Sequence, residues 1–318
     1  MSGNFRLRDF PISFFSVVMG VSGLAIAWQK TQSVLGVNLH INVLLAVIAV
    51  LVFWGLLSIY VAKWLYYRDA VLAELKHPIK LNFFPTISIS LILLSIAVLH
   101  LNQSVAHGLW LAGVSLHFIL MLYVLHVWIN HKQFEIHHLN PAWFIPAVGN
   151  VLVPIAGTSL GYHEISWFFF SIGLVFWIIL LTIIFNRILF HHPLPDHLAP
   201  TLFILIAPPS AGFLSYVKLT HGLDGFARVL YYVGLFFTLF LFTQLPRLLK
   251  LPFFLSWWAY SFPLAAITVS SWVMFEQTGE AGIKMLALVF IFLLSILVLF
   301  LTYKTFLAIK ARKICVSE

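Results

Sequence analysis

The sequence predicts an all-α integral membrane protein whose ten transmembrane helices pair as five helical hairpins. Three observations carry that reading. Of 318 residues, 62% are hydrophobic and 9% charged, where soluble domains carry about 25% charged residues. Charge-free runs recur along the chain and are long enough to cross a bilayer, which takes about 20 apolar residues. The ~10-residue alternating segments of transmembrane strands are absent. Finally, the prolines sort by span. Pro11, Pro85, Pro146, Pro154, Pro208, Pro209 and Pro263 fall within or at the start of odd spans, and none interrupts an even one.

The ten spans are 10–29, 41–62, 83–100, 108–130, 141–160, 165–187, 199–217, 229–246, 253–275 and 285–303. The third and fourth come from one long run that breaks at the polar stretch from His100 to His107. Little chain is left between spans, so residues 1–318 read as a single transmembrane domain without a soluble enzyme module. All 18 Lys and Arg except Lys30, Lys218, Arg228 and Lys284 group with the termini and the connections after even spans. The positive-inside rule then places both termini in the cytoplasm. The net charge of +8 is accordingly a topology signal, and no nucleic acid partner is expected.

Span 1 opens Phe10-Pro11-Ile12-Ser13-Phe14-Phe15 and continues through Gly20 and Gly23. Small residues let helices approach closely or leave room for a pathway. Arg6 and Arg8 ahead of a run ending Ala25-Ile26-Ala27 imitate a cleavable signal, but the run shares the features of later odd spans and counts as span 1. Span 2 is uniformly apolar and ends in Lys63, Tyr66, Tyr67 and Arg68, an interfacial anchor. Glu74-Leu75-Lys76-His77-Pro78 leads into Asn82-Phe83-Phe84-Pro85 and span 3. Span 4 is unbroken. Span 5 holds Pro146, Gly149, Asn150 and Pro154, and span 7 holds Ala207-Pro208-Pro209-Ser210-Ala211. Spans 6, 8 and 10 are again unbroken. Span 9 carries Trp257-Trp258-Ala259-Tyr260-Ser261-Phe262-Pro263. Pro263 has no amide hydrogen, so the carbonyl of Ala259 should lose its helical partner and the helix should bend or break.

Broken backbone is tolerated at membrane depth only against protein or water. The five odd helices should therefore form an inner ring around a central pathway, with the five even helices outside. The candidate pore-lining residues are Phe14, Phe15, Gly20, Phe84, Pro85, Pro146, Gly149, Pro208, Pro209, Ala211 and Pro263, with the ring of Phe262 beside its break as a gate. No charged residue lies well inside a span, which argues against an ion-coupled pump and against the acidic rings of many cation filters. The histidine clusters His131…His137-His138 and His191-His192…His197 lack matching Cys, Asp or Glu ligands and read as interfacial, so neither metal nor cofactor is expected. The single cysteine, Cys315, excludes an intrachain disulfide.

Four motifs together resemble the tellurite-resistance/dicarboxylate transporter family. They are Glu74…His77-Pro78…Asn82-Phe83-Phe84, Val148-Gly149-Asn150, Ala207-Pro208-Pro209-Ser210 and the span 9 sequence from Trp257 to Pro263. The family includes bacterial TehA proteins, fungal malate and sulfite transporters, and plant slow-type guard-cell anion channels. The similarity runs from about Phe10 to Tyr303. It implies one pore per subunit in a homotrimer, occluded by Phe262, in a plasma membrane and most naturally a bacterial inner membrane. The activity it implies is a channel for small monovalent anions such as chloride and nitrate. The alternative is an exporter or carrier of dicarboxylate, sulfite or tellurite-related oxyanions. Pro85 directly after Phe84 and the double proline at 208–209 depart from the family pattern. The long tails that carry phosphorylation control in the plant members are missing, so control of that type is not expected.

Overall fold

The computed structural model describes residues 7–130, 134–312 and 314. Arg6, His131, Cys315 and Glu318 lie outside them. Among the described residues the chain is helical nearly throughout, and no strand occurs. In order, the principal elements are α1 (Ile12–Leu35), α2 (Ile41–Tyr66), α3 (Lys80–Val98), α4 (Gln103–Asn130), α5 (Pro141–Gly157), α6 (His163–Phe190), α7 (Ala199–Thr220), α8 (Gly225–Phe242), α9 (Leu255–Thr278) and α10 (Ala281–Lys310). Nine are long and apolar enough to span a bilayer, and α5 is shorter. A short helix, Arg68–Lys76, lies between α2 and α3.

Odd and even helices differ in kind. Each even helix is one continuous α-helix, whereas each odd helix begins in 3₁₀ geometry and changes to α partway. In α9 the 3₁₀ segment is Leu255–Tyr260 and the α segment Ser261–Thr278. In α7 the change comes at Ala207, and in α3 Pro85 precedes the first α residue, Thr86. In α5 the pieces alternate: Pro141–Trp143, Phe144–Val148, Gly149–Leu152 and Val153–Gly157. Prolines 154, 208, 209 and 263 thereby fall in the first turn of an α segment, where the missing N–H has no intrahelical partner to lose. The sequence suggests a kink at Pro263. The structure shows a change of helix type just before it, with the Ser261 amide bonded to the Trp258 carbonyl.

The five odd helices close a ring, each packing on the next: α1 on α3, α3 on α5, α5 on α7, α7 on α9 and α9 back on α1. Each even helix sits outside, in the seam between its hairpin partner and the following odd helix. Burial follows the layers. In their most apolar windows α1, α3, α7 and α9 are 61–83% buried, against 22–39% for the even helices. Leu44, Trp54, Phe168 and Phe292 stand exposed on the outer layer, as lipid-facing residues must. This is a multi-span all-α membrane protein.

Several boundaries move for a physical reason. Helix α8 starts at Gly225 because Asp224 caps it, its carboxylate accepting from the Ala227 amide at 2.9 Å. That hydrogen bond is the main reason the Asp224 carboxyl titrates below the usual range. Helix α10 runs past the expected span at both ends, and Lys284 and Lys304 lie over the rings of Phe275 and Phe300, each 5.5 Å from the centroid. Lys63 is no interfacial anchor. It is 1% exposed, pairs with Glu74 at 3.0 Å and donates to the Phe10 carbonyl at 2.8 Å. Arg187, at the end of α6, is likewise buried and donates to the His192 carbonyl.

Candidate functional site

Inside the ring lie two cavities. One, of about 80 Å³, is walled by the first halves of the odd helices: Ser16 and Met19 of α1, Phe83, Thr86 and Ile89 of α3, Val148 and Gly149 of α5, Ala207 and Pro208 of α7, and Trp258 and Pro263 of α9. No charged side chain lines it. Its two hydroxyls are tied to their own backbone, Ser16 to the Ser13 carbonyl at 2.7 Å and Thr86 to the Phe83 carbonyl at 2.5 Å. The other cavity, of about 480 Å³, lies toward the C-terminal ends of the same helices. Its deep wall is apolar, with Leu93, Ile96, Leu214 and Val269. Its mouth is polar, with Gln29, Lys30, His100, Lys218, Glu276 and Gln277. Lys30 and Glu276 form an ion pair across α1 and α9.

Three residues belong to the walls of both cavities: Leu152 of α5, Ala211 of α7 and Phe262 of α9. Phe262 is the only aromatic ring of the three. The ring packs against Gly23 of α1, where an added Cβ would lie 3.5 Å from the Phe262 Cδ2 and 2.9 Å from the Ala265 Cβ. Behind Gly149 stands His117 of α4, fully buried, with Nδ1 2.9 Å from the Ser88 hydroxyl and Nε2 without a partner. A Cβ on Gly149 would meet its Cε1 at 2.9 Å.

The structure distributes the sequence candidates as follows. Gly149, Pro208, Ala211, Phe262 and Pro263 meet at the two cavities. The others lie in helix contacts. Phe14 stacks on Phe10 with centroids 4.8 Å apart. Phe15 is buried against Phe53 and Tyr60 of α2. Phe84 meets the same Tyr60 edge-on at 6.2 Å, leaving its neighbour Phe83 to face the cavity. Gly20 makes room for Trp258, whose ring an added Cβ would meet at 2.8 Å. Pro85 precedes the α segment of α3, and Pro146 and Pro209 are buried within α5 and α7. The wall residues that sequence reasoning missed include Ser16, Met19, Phe83, Val148, Leu152, Ala207 and Trp258. Of these, Phe83, Val148, Ala207 and Trp258 stood inside the motifs that carry the family resemblance. Among the described residues no three His, Cys, Asp or Glu side chains group as metal ligands.

Comparison with known proteins places the chain in a family. The voltage-dependent anion channel family matches residues 9–306. An uncharacterized transporter of Methanocaldococcus jannaschii is 30% identical over 294 residues, covering 85% of each chain. A tellurite resistance protein TehA homolog of Haemophilus influenzae is 26% identical over 302 residues, 92% of this chain and 90% of the relative. The guard cell S-type anion channel of Arabidopsis thaliana is 26% identical over 313 residues, 95% of this chain and 56% of the plant protein. With a closed ring of five broken helices and a match over almost its whole length, the chain belongs to the voltage-dependent anion channel family, a family of channels and transporters.

Proposed function

We propose that the ring of odd helices encloses a conduction path for small monovalent anions, chloride and nitrate, and that Phe262 closes it. One observation carries this reading: Phe262 is among the three residues that line both cavities and is the aromatic one of them, which suits a gate between the two. Family membership supports anion transport in general. The lining supports a passive path, because the cavity on the N-terminal side of Phe262 carries neither a fixed charge nor a proton-carrying carboxylate. An apolar constriction discourages water from filling it and so closes it to ions. Anion-replacement recording on the reconstituted protein is the test. The reversal potential should follow the chloride or nitrate gradient and ignore a proton gradient. The tellurite resistance name of the Haemophilus relative favours one second reading, an exporter or carrier of dicarboxylate, sulfite or tellurite-related oxyanions. Saturating flux driven by a proton gradient would establish that reading and displace the channel.

The distribution of Lys and Arg supports an orientation with both termini in the cytoplasm of a plasma membrane, the wider cavity opening on the far side. Reporter fusions after residue 318 and beside Gly279 should report opposite sides. Reports from the same side would break the ten-helix topology. The apolar outer faces of the even helices suit lipid and copies of the same chain. A homotrimer with one path per subunit, the assembly that the resemblance implies, completes the proposal, and the detergent-corrected mass checks it.

A further inference from the structure

The mouth of the wider cavity poses an electrostatic problem. Helices α1, α3, α7 and α9 all direct their C-terminal ends toward it, and α-helix C-termini carry partial negative charge. A bare mouth would repel anions. Two lysines oppose this, Lys30 and Lys218, and both line the cavity. They are not equivalent. Lys30 is neutralised by its ion pair with Glu276, whereas Lys218 is exposed and, among the described residues, has no acidic partner.

A partly buried hydrogen-bond relay then fixes the orientation of His100. The Leu39 amide can only donate, and it donates to Gln32 Oε1 at 2.7 Å. The other end of that amide, Gln32 Nε2, must therefore donate, and it does so to Asn42 Oδ1 at 2.9 Å. Asn42 Nδ2 is left to donate to His100 Nε2 at 2.8 Å. His100 thus accepts on Nε2 and carries its proton on Nδ1. Partial burial also lowers its pKa from the ordinary histidine value, in keeping with that pattern. Its Nδ1–H is the ring's remaining donor on a residue lining the cavity.

We infer that this mouth is a binding site for one small monovalent anion, held by the Lys218 ammonium with N–H donors from His100, Gln29 and Gln277, and that Glu276 sets its charge preference by occupying Lys30. One uncompensated cation suits a halide or nitrate. Removing the Glu276 charge releases a second cation and suits a divalent oxyanion such as sulfate. The titratable and charged groups facing the site are Lys30, His100, Lys218 and Glu276. The role of the site in permeation rests on the conduction path proposed above, whereas binding itself does not require conduction.

The probe is chloride. Its NMR line broadens when it exchanges onto a protein, and nitrate or sulfate is added as competitor to the purified full chain. Lys218→Gln should weaken chloride binding by roughly three- to tenfold, the size of one unit charge acting at a partly hydrated site. Glu276→Gln should tighten it and raise the competition by sulfate relative to nitrate. Lys284→Gln removes a lysine that Arg and Lys counting puts on the same side but that does not line the cavity, and it should change nothing. Equal losses in Lys218→Gln and Lys284→Gln would reduce the effect to diffuse surface charge and overturn the site. Unchanged sulfate competition in Glu276→Gln would overturn the role of Glu276. If Lys218-dependent binding persists in a protein that passes no anion current, the site stands and the channel reading falls. If current flows without Lys218-dependent binding, the site alone falls.

Discussion

Phe262→Ala should convert a nearly closed protein into one with a large anion current while remaining folded. The ring is the one aromatic shared by the two cavities, and its removal joins a space of about 80 Å³ to one of about 480 Å³. A ring set across the path would also turn the negative side of its quadrupole toward an anion, so steric and electrostatic barriers should fall together. Lowering a permeation barrier by about 3 kcal/mol raises flux about a hundredfold. The same substitution in a packed core costs about 3–5 kcal/mol, but Phe262 is only partly buried and borders open space on both sides, so the loss of stability should be smaller. Phe262→Leu should fall between wild type and Ala, because it leaves branched bulk against Gly23. Currents recorded in planar bilayers, with thermal unfolding in detergent as control, check this. A folded Phe262→Ala protein whose conductance matches wild type would remove Phe262 from the gate.

The layered architecture is legible in the sequence because its signals are one-dimensional. Apolar runs mark the spans, and prolines mark which helices cannot be continuous. The direction in which a side chain faces is a different matter. Each odd helix begins in 3₁₀ geometry, which turns about 120° per residue where an α-helix turns about 100°. Over the eight residues Ala199–Ile206 that difference amounts to about 160°. A face projected through such a segment as an α-helix lands on the wrong side. Proline breaks and motifs name a segment and not a face, and in the structure Phe83 rather than Phe84 meets the cavity, as do Ser16 and Met19 rather than Phe15. Leu152 shows a second limit. It is an apolar residue among apolar residues, and only the packing of α5 on α7 brings it to the partition. Phe262 was legible because a bulky ring, a proline and a specific motif coincide at one position.

A deeper failure of sequence reasoning concerns Lys63, and it leads to the largest stability effect expected here. A lysine near Tyr66, Tyr67 and Arg68 looks like a side chain reaching for the membrane surface. In the structure it turns inward, 1% exposed, to a carboxylate eleven positions away whose own side chain is 11% exposed. Glu74 also accepts from the Tyr60 hydroxyl at 2.8 Å, and Lys63 holds the carbonyl of Phe10. The group therefore ties α2 and the short helix Arg68–Lys76 to the chain just before α1. Tyr60, between them, packs edge-on against both Phe15 and Phe84. Replacing Lys63 with Met keeps most of the apolar stem but leaves Glu74 as a buried charge without its cation. Breaking one side of a buried pair costs about 3–5 kcal/mol, whereas replacing both partners by groups of similar shape is often close to neutral. Lys63→Met should accordingly unfold well below wild type in detergent. The double variant Lys63→Met, Glu74→Gln should recover much of the loss, a coupling that a double-mutant cycle isolates. Because the same network fixes the start of α1, at whose first turns Ser16 and Met19 wall the apolar cavity, Lys63→Met should also leak anions past an intact Phe262. Unchanged melting in the single variant, or no recovery in the double, would show that the pair does not hold the ring closed at that seam.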